Sequence, residues 1–323
     1  MFLPLLVVRV LMVLLSIMKL SMLQTKTVQD GAEEVRYGLS MYGAIMAHPT
    51  FNNVGDFDLK KYGYSIFRAW ATWERDYAGN LVTGYRVVNS DGSLNSGNLQ
   101  KLKDFIAHIK AWGGAVDVTI GAKNTRNGMS SFSAQKTGVT NLVTALRGIG
   151  GIYCIDLANE YPSAGYTDAQ AAELLVAARA ADGSRGGFTV SCDGPASSIV
   201  THYKAVIAAL GKNWKNYLGM FAPHFNPQDQ NLAKNTEANV RTLKSGMSGT
   251  YLPIYVQEEG YWNHPYTKET DYYTEAIGAK KGGAVAYTLH TLAGFDLRTK
   301  SFWSQLKPAE QTAVNLVPTK AGF

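Results

Sequence analysis

The chain has 323 residues, 46% hydrophobic and 17% charged; 31 Lys and Arg against 25 Asp and Glu give a formal net charge of +6. Ample apolar material and a small net charge exclude dominant disorder, and 32 Gly and 10 Pro without a short period exclude a collagen-like chain. Two cysteines, Cys154 and Cys192, exclude a disulfide scaffold or a four-cysteine zinc site and read as buried thiols, with a single disulfide as the alternative if their strands are neighbours, while the dispersed basic residues argue against a nucleic-acid partner.

Residues 1–23 are almost entirely apolar, interrupted by Arg9 and Lys19. The run is long enough for a membrane, but a charge near its middle is costly there. No basic segment precedes it and no small-residue cleavage site follows. It reads as an imperfect secretory signal or signal anchor, and as the one part expected to touch a membrane. An upstream extension, with Met12, Met18 or Met22 as later starts, is the alternative. On the first reading the protein is secreted, or tethered to the membrane outside the cell. Residues 24–36 read as a polar linker, and 37–323 as the folded domain.

From Tyr37 onward, short β-branched or aromatic runs alternate with polar loops and stretches of helical spacing. The strand candidates are 37–45, 64–73, 115–122, 152–160, 188–194, 218–225, 252–259 and 283–290. Between them, 98–114 puts Leu99, Leu102, Phe105, Ile106 and Ile109 on one helical face and stops at a Gly-Gly pair. Residues 167–183 open with Thr167 and Asp168 as candidate caps. Residues 197–211, 235–246 and 268–283 read as further helices. Strands alternating with helices predict a parallel sheet, and eight units predict a single α/β domain, a (β/α)8 TIM barrel.

Chemistry in such barrels sits at the carboxyl ends of the strands. There the chain offers Arg68, Trp70 and Trp73; Lys123 and Asn124; Asn159, Glu160 and Tyr161; Asp193; His224; Glu258, Glu259 and Trp262; and His290. Carboxylates ending the fourth and seventh strands face each other across a barrel mouth. One protonated and one ionised carboxylate are what cleavage of a glycosidic bond requires. An adjacent Arg favours the ionised form, and aromatic rings stack on sugar faces. Residues 252–259 alternate so that Ile254, Val256 and Glu258 share one side.

YCIDLANEY (153–161) together with LPIYVQEEG (252–260) resembles the retaining glycoside hydrolases of clan A, family 5 above the others. The resemblance implies Glu160 as acid/base, Glu258 as nucleophile with Glu259 as its rival, Asn159 as partner of a sugar hydroxyl, and Arg68 beside the nucleophile. It implies a carbohydrate substrate, for which His224, Trp70, Trp73, Tyr161, Trp262 and His290 are the candidate contacts; no His/Asp/Glu cluster in the sequence has metal-ligand spacing and no phosphate or dinucleotide motif appears, so neither cofactor nor metal is expected. The chain departs from the pattern in three places. The Tyr two residues after the strand-six His is Asn226, Lys123 and Asn124 replace a strand-three His, and strand eight lacks its Trp. Transglycosylation is the same chemistry with a sugar acceptor. A non-catalytic carbohydrate-binding barrel and a Schiff-base enzyme using Lys123 are the competing readings.

Overall fold

The computed structural model describes residues 36–41, 63–74, 84–111, 113–122, 128–183, 187–225, 235–262, 269–291 and 303–321. The apolar segment 1–23 lies outside them, as does the expected linker apart from Arg36, where the first strand starts.

Nine strands are described: β1 (Arg36–Met41), β2 (Ile66–Trp70), β3 (Ala115–Gly121), β4 (Ile152–Asn159), β5 (Phe188–Thr189), β6 (Cys192–Asp193), β7 (Pro223–His224), β8 (Tyr255–Trp262) and β9 (Ala286–Thr291). Seven form one sheet in the order β5-β4-β3-β2-β1-β9-β8, and β6 pairs with β7. Every pairing of these strands is parallel. A parallel bridge between Phe221 and Ile254 joins the β7 run to the β8 run. The predicted fifth strand, 188–194, is thus β5 and β6 in succession. Its first half bonds to β4 and its second to the β7 run, which closes the ring. Eight parallel units in a closed ring make the predicted (β/α)8 barrel.

Five described helices match expectation: α1 (Ser96–Ala111), α3 (Asp168–Asp182), α4 (Ala196–Leu210), α5 (Thr236–Gly246) and α6 (Glu269–Gly282). Leu102, Phe105, Ile106 and Ile109 of α1 are buried, as their spacing requires. Thr167 is the N-cap of α3 in a reciprocal capping box with Gln170, and Asp168 is the first helical residue. Two helices were not singled out from the sequence: α2 (Phe132–Leu146), capped by Ser131, and α7 (Pro308–Ala321). No helix among the described residues is long and apolar enough to cross a membrane.

The apolar residues form two clusters. The larger lies between strands and helices and includes Phe67, Val118, Leu157, Ile254 and Val256. The smaller joins Ile66, Ala115, Tyr153, Cys154, Met220, Tyr255 and Ala286, strand residues that meet inside the ring. Cys154 and Cys192 are both buried and unbridged. Burying the axis with apolar side chains at this level leaves the polar side chains to the carboxyl ends above.

Candidate active site

Alternation on β2 and β3 carries charge into the ring. Arg68 is directly opposite Asp117 in the β2–β3 register, and Thr119 is opposite Asp156 in the β3–β4 register. All four side chains are buried. The Arg68 guanidinium donates from Nε to Thr119 Oγ1 at 2.9 Å and from Nη1 to Glu258 Oε2 at 2.8 Å. Its Nη2 donates to Asn159 Oδ1 at 2.6 Å and Asp156 Oδ2 at 3.2 Å, and Nε lies 3.3 Å from Asp117 Oδ2. Burial by itself would lower the Arg68 pKa, but Glu258, Asp117 and Asp156 outweigh it and hold the pKa above its usual value. The Trp70 ring lies under the guanidinium, 5.0 Å from Cζ to centroid, and Trp73 packs edge-on against Trp70.

Irregular pairing brings the two Glu residues to the mouth. On β4 the register shifts between Thr119/Asp156 and Gly121/Asn159, so three steps on β4 match two on β3. The extra residue turns Asn159 inward to meet Arg68. Glu160 follows with φ of 50°, a left-handed conformation uncommon for a residue with a side chain. It is held there by its N–H donating to Ser191 Oγ at 2.8 Å.

A shift of the same kind on β8 corrects the sequence reading of Glu258. Ile254 and Val256 belong to the cluster under the helices, while Tyr255 points to the ring interior. Strict alternation would therefore send Gln257 inward and Glu258 outward. Between Val256 and Glu259, three steps on β8 match two on β9, and both Gln257 and Glu258 reach the interior network. Glu258 thus does not share the side of Ile254 and Val256; the irregularity aims it at Arg68.

His224 links the two carboxylates. Its Nδ1 lies 2.9 Å from Glu160 Oε1 and 3.2 Å from Glu258 Oε2, and its Nε2 is 3.1 Å from Gln257 Oε1. Burial lowers its pKa, but Glu258 and Glu160 more than reverse that and push it up to about 9, against the charge of Arg68. Burial raises the Asp117 carboxyl to about 6, opposed by Arg68 and reinforced by Asp156. One ligand-type atom from each of Glu160, His224 and Glu258 falls within 4.8 Å of the others, a spacing that suits a cation as well as a proton. The fixed charge of Arg68 on the same Glu258 oxygen opposes a second cation there.

Arg68, Asn159, Glu160, His224 and Glu258 are therefore brought together. Tyr161 turns away: it is fully buried, its hydroxyl donates to Asp168 Oδ1 at 2.8 Å, and its ring packs edge-on against His202. It anchors the turn after β4 and is not turned toward the mouth, which corrects its expected contact with sugar. Asp193 Oδ2 accepts from Ser163 Oγ at 2.5 Å. The backbones of Glu259, Trp262 and His290 are in β8 and β9, but their side chains lie outside the described ones. Lys123, Asn124 and Asn226 also lie outside the described residues.

Asp117, Asp156, Gln257, Ser191 and Thr119 were missed in the sequence. Their signal was a polar residue inside an otherwise apolar strand run, as in AVDVTIG and IYCIDLAN. A charge buried on a barrel strand requires a partner, and Arg68 was already in view.

No family model and no curated protein sequence matches the chain. Solved structures do match in shape. An exo-β-1,4-mannosidase from Opitutaceae bacterium strain TAV5 aligns with a TM-score of 0.63 and 12% identity, over 92% of this chain and 63% of that one. The chain thus spans under two thirds of that protein's length. A family 5 glycoside hydrolase from Prevotella bryantii B14 aligns at 0.60 and 13% identity, over 90% of this chain and 98% of that one. A broad-specificity endoglucanase from an uncultured bacterium aligns at 0.59 and 10%, over 92% and 96%. At such identities the likeness establishes the fold, the TIM barrel of these enzymes.

Proposed function

We propose that this protein is a retaining glycoside hydrolase of the clan A, family 5 type. The observation that carries the reading is that Glu160 and Glu258 both bring an oxygen to His224 Nδ1, at 2.9 and 3.2 Å, so the two carboxyl groups meet at one mouth where Arg68 holds only the second. Retaining enzymes keep their two carboxyl groups about 5–5.5 Å apart, whereas inverting enzymes leave about 6.5–9.5 Å for a water. Glu258, beside Arg68, attacks the anomeric carbon as Glu160 protonates the departing oxygen. Glu160 then takes a proton from water as water displaces Glu258. Asn159 spends Oδ1 on Arg68, which leaves its amide N–H groups to hold a sugar hydroxyl.

The structural neighbours are described as acting on β-1,4-mannosides and as an endoglucanase, and one is seen with a xyloglucan oligosaccharide. We take β-linked glucose and mannose backbones as the first substrates to try. The test is hydrolysis of aryl β-glucosides and β-mannosides, with proton NMR of the first sugar released. A β-anomer formed first supports the reading. An α-anomer formed first, or no turnover of these compounds and of β-glucan, mannan and xyloglucan, overturns it. Residues 1–23 we propose as the export signal or anchor of a secreted or tethered enzyme. Amino-terminal sequencing of the protein recovered from medium and from membranes tests that assignment.

A further inference from the structure

We infer that Gln257, backed by Asp117, is a positioning residue: it takes the Nε2–H of His224 and thereby presents Nδ1 to Glu160 and Glu258 as the atom through which a proton reaches the acid/base. This rests on the glycosidase reading above and adds to it a route for the proton. Gln257 is fully buried. Its amide Nε2 donates to Asp117 Oδ2 at 2.6 Å, and its Oε1 faces His224 Nε2 at 3.1 Å. A carboxylate only accepts, so an ionised Asp117 dictates which end of the amide faces it. Flipping the amide would set its oxygen against the carboxylate and its N–H groups against the imidazole. Asp117 is itself locked by Arg68 Nε at 3.3 Å and by the Tyr255 hydroxyl at 3.1 Å. The backbone carbonyl of Gln257 accepts from the Thr288 hydroxyl, so main chain and side chain are both tied.

The consequence falls on the other imidazole nitrogen. With Nε2 always bearing hydrogen, neutral His224 has a bare lone pair on Nδ1. That lone pair would face carboxylate oxygens at 2.9 and 3.2 Å. Two ionised carboxylates against a lone pair repel, so the group of three holds one proton, on Nδ1 or on Glu160. In the first half-reaction the Nδ1–H bond breaks as Glu160 Oε1 gains the proton. Glu160 passes it to the glycosidic oxygen as the C–O bond breaks and the Glu258–carbon bond forms. In the second half-reaction water gives a proton to Glu160, which returns it to Nδ1. No net proton is gained or lost.

The groups around His224 agree with this placement. Glu160 approaches from the end of β4 and Glu258 from β8, and both favour the charged ring. Arg68 of β2 opposes it. Asp193, its register partner on β6, has an oxygen engaged by Ser163. Asp117 of β3 acts through the Gln257 amide.

The test uses the full chain labelled with 15N-histidine, with the His224 signals assigned through His224→Asn. In the unaltered protein, neutral His224 should show hydrogen on Nε2 alone. Gln257→Met keeps the volume and removes both hydrogen bonds; it should give mixed tautomers. In the same variant the basic limb of kcat/KM should move down by about one pH unit, a loss of up to about tenfold at a fixed alkaline pH. Gln257→Glu, which can donate to Asp117 when protonated and still accept from Nε2, should restore tautomer and limb. If Gln257→Met does not fold, Asp117→Asn serves instead, because it permits either amide orientation and should likewise mix the tautomers. Hydrogen on Nδ1 alone in the unaltered protein, or a tautomer untouched by these variants, overturns the inference. The NMR arm needs no turnover, so an inactive protein with the expected tautomer would count against the glycosidase reading alone.

Discussion

The Glu258 side chain is 5% exposed and takes Arg68 Nη1 at 2.8 Å, whereas the Glu160 side chain is 30% exposed and faces His224 at 2.9 Å. Around Glu258 stands a guanidinium that does not titrate, itself bonded to Thr119, Asn159 and Asp156. The imidazole of His224 lies 2.9 Å from Glu160 and 3.2 Å from Glu258, but Glu160 has no guanidinium bonded to it and keeps an open side toward solvent. A group that must stay ionised is best held by a permanent charge out of water, where the attraction is little screened. A group that must gain and lose a proton in each turnover needs a titratable neighbour and an open side. The difference between the two surroundings supports the proposed roles more directly than either residue's position does.

Exchanging the proposed nucleophile tests this contrast most severely. On the proposed mechanism, Glu258→Ala should lower kcat by about 10⁴-fold or more on every substrate, because it removes the group that forms the covalent intermediate. Glu259→Ala is its partner measurement and should keep substantial activity. The reverse pattern would mean that the β8 irregularity delivers the other carboxylate. Glu160→Ala should cost about 10²–10⁴-fold on substrates with poor leaving groups. With an aryl glycoside whose leaving group needs no proton, the first half-reaction should survive. Azide should then yield a glycosyl azide of retained configuration. A variant that azide does not rescue would take the acid/base role away from Glu160.

Arg68→Ala attacks the fixed-charge side. It leaves Asp117, Asp156 and Glu258 buried without their common cation, so it should destabilise the fold by about 3–5 kcal/mol in urea unfolding, besides slowing turnover. A small stability change with a large loss of activity would show that these acids take up protons when Arg68 is gone. The titrating side gives the mildest effect. His224 is raised from 6.5 to about 9, so the folded state binds its proton more tightly than the unfolded chain does. That contribution is fully present below about pH 6.5 and is lost as pH rises through about 9, a decline on the order of 3 kcal/mol. Unfolding measured from pH 6 to 10 should show it, and Glu160→Ala should shrink it by removing one of the groups that raises His224. An unchanged decline in that variant would break the coupling between the pair.

Local chemistry made much of this legible. The α1 face, the Thr167 cap and the apolar runs of β2, β3 and β4 follow from spacing and residue type, which act over a few residues. Arg68, Asn159, Glu160 and His224 were found because barrel strands end where chemistry sits. Tyr161 was misread because the left-handed Glu160 re-aims the chain, and alternation cannot register such a turn. Asp117, Asp156 and Gln257 went unseen because each is an ordinary polar residue until its partner is known.

Alone, the sequence determined the alternation of strand and helix, the eight units and the set of polar residues at the strand ends, because hydrophobic period and turn chemistry are local. Only the tertiary structure decided which of those residues meet. Register shifts, two in β4 and two in β8, each slip the pairing by a single step, and a single step exchanges the two faces of a strand. Whether Glu258 faces Arg68 or the helices therefore depends on pairing with β9, a strand whose partnership is a long-range event that no window of sequence contains.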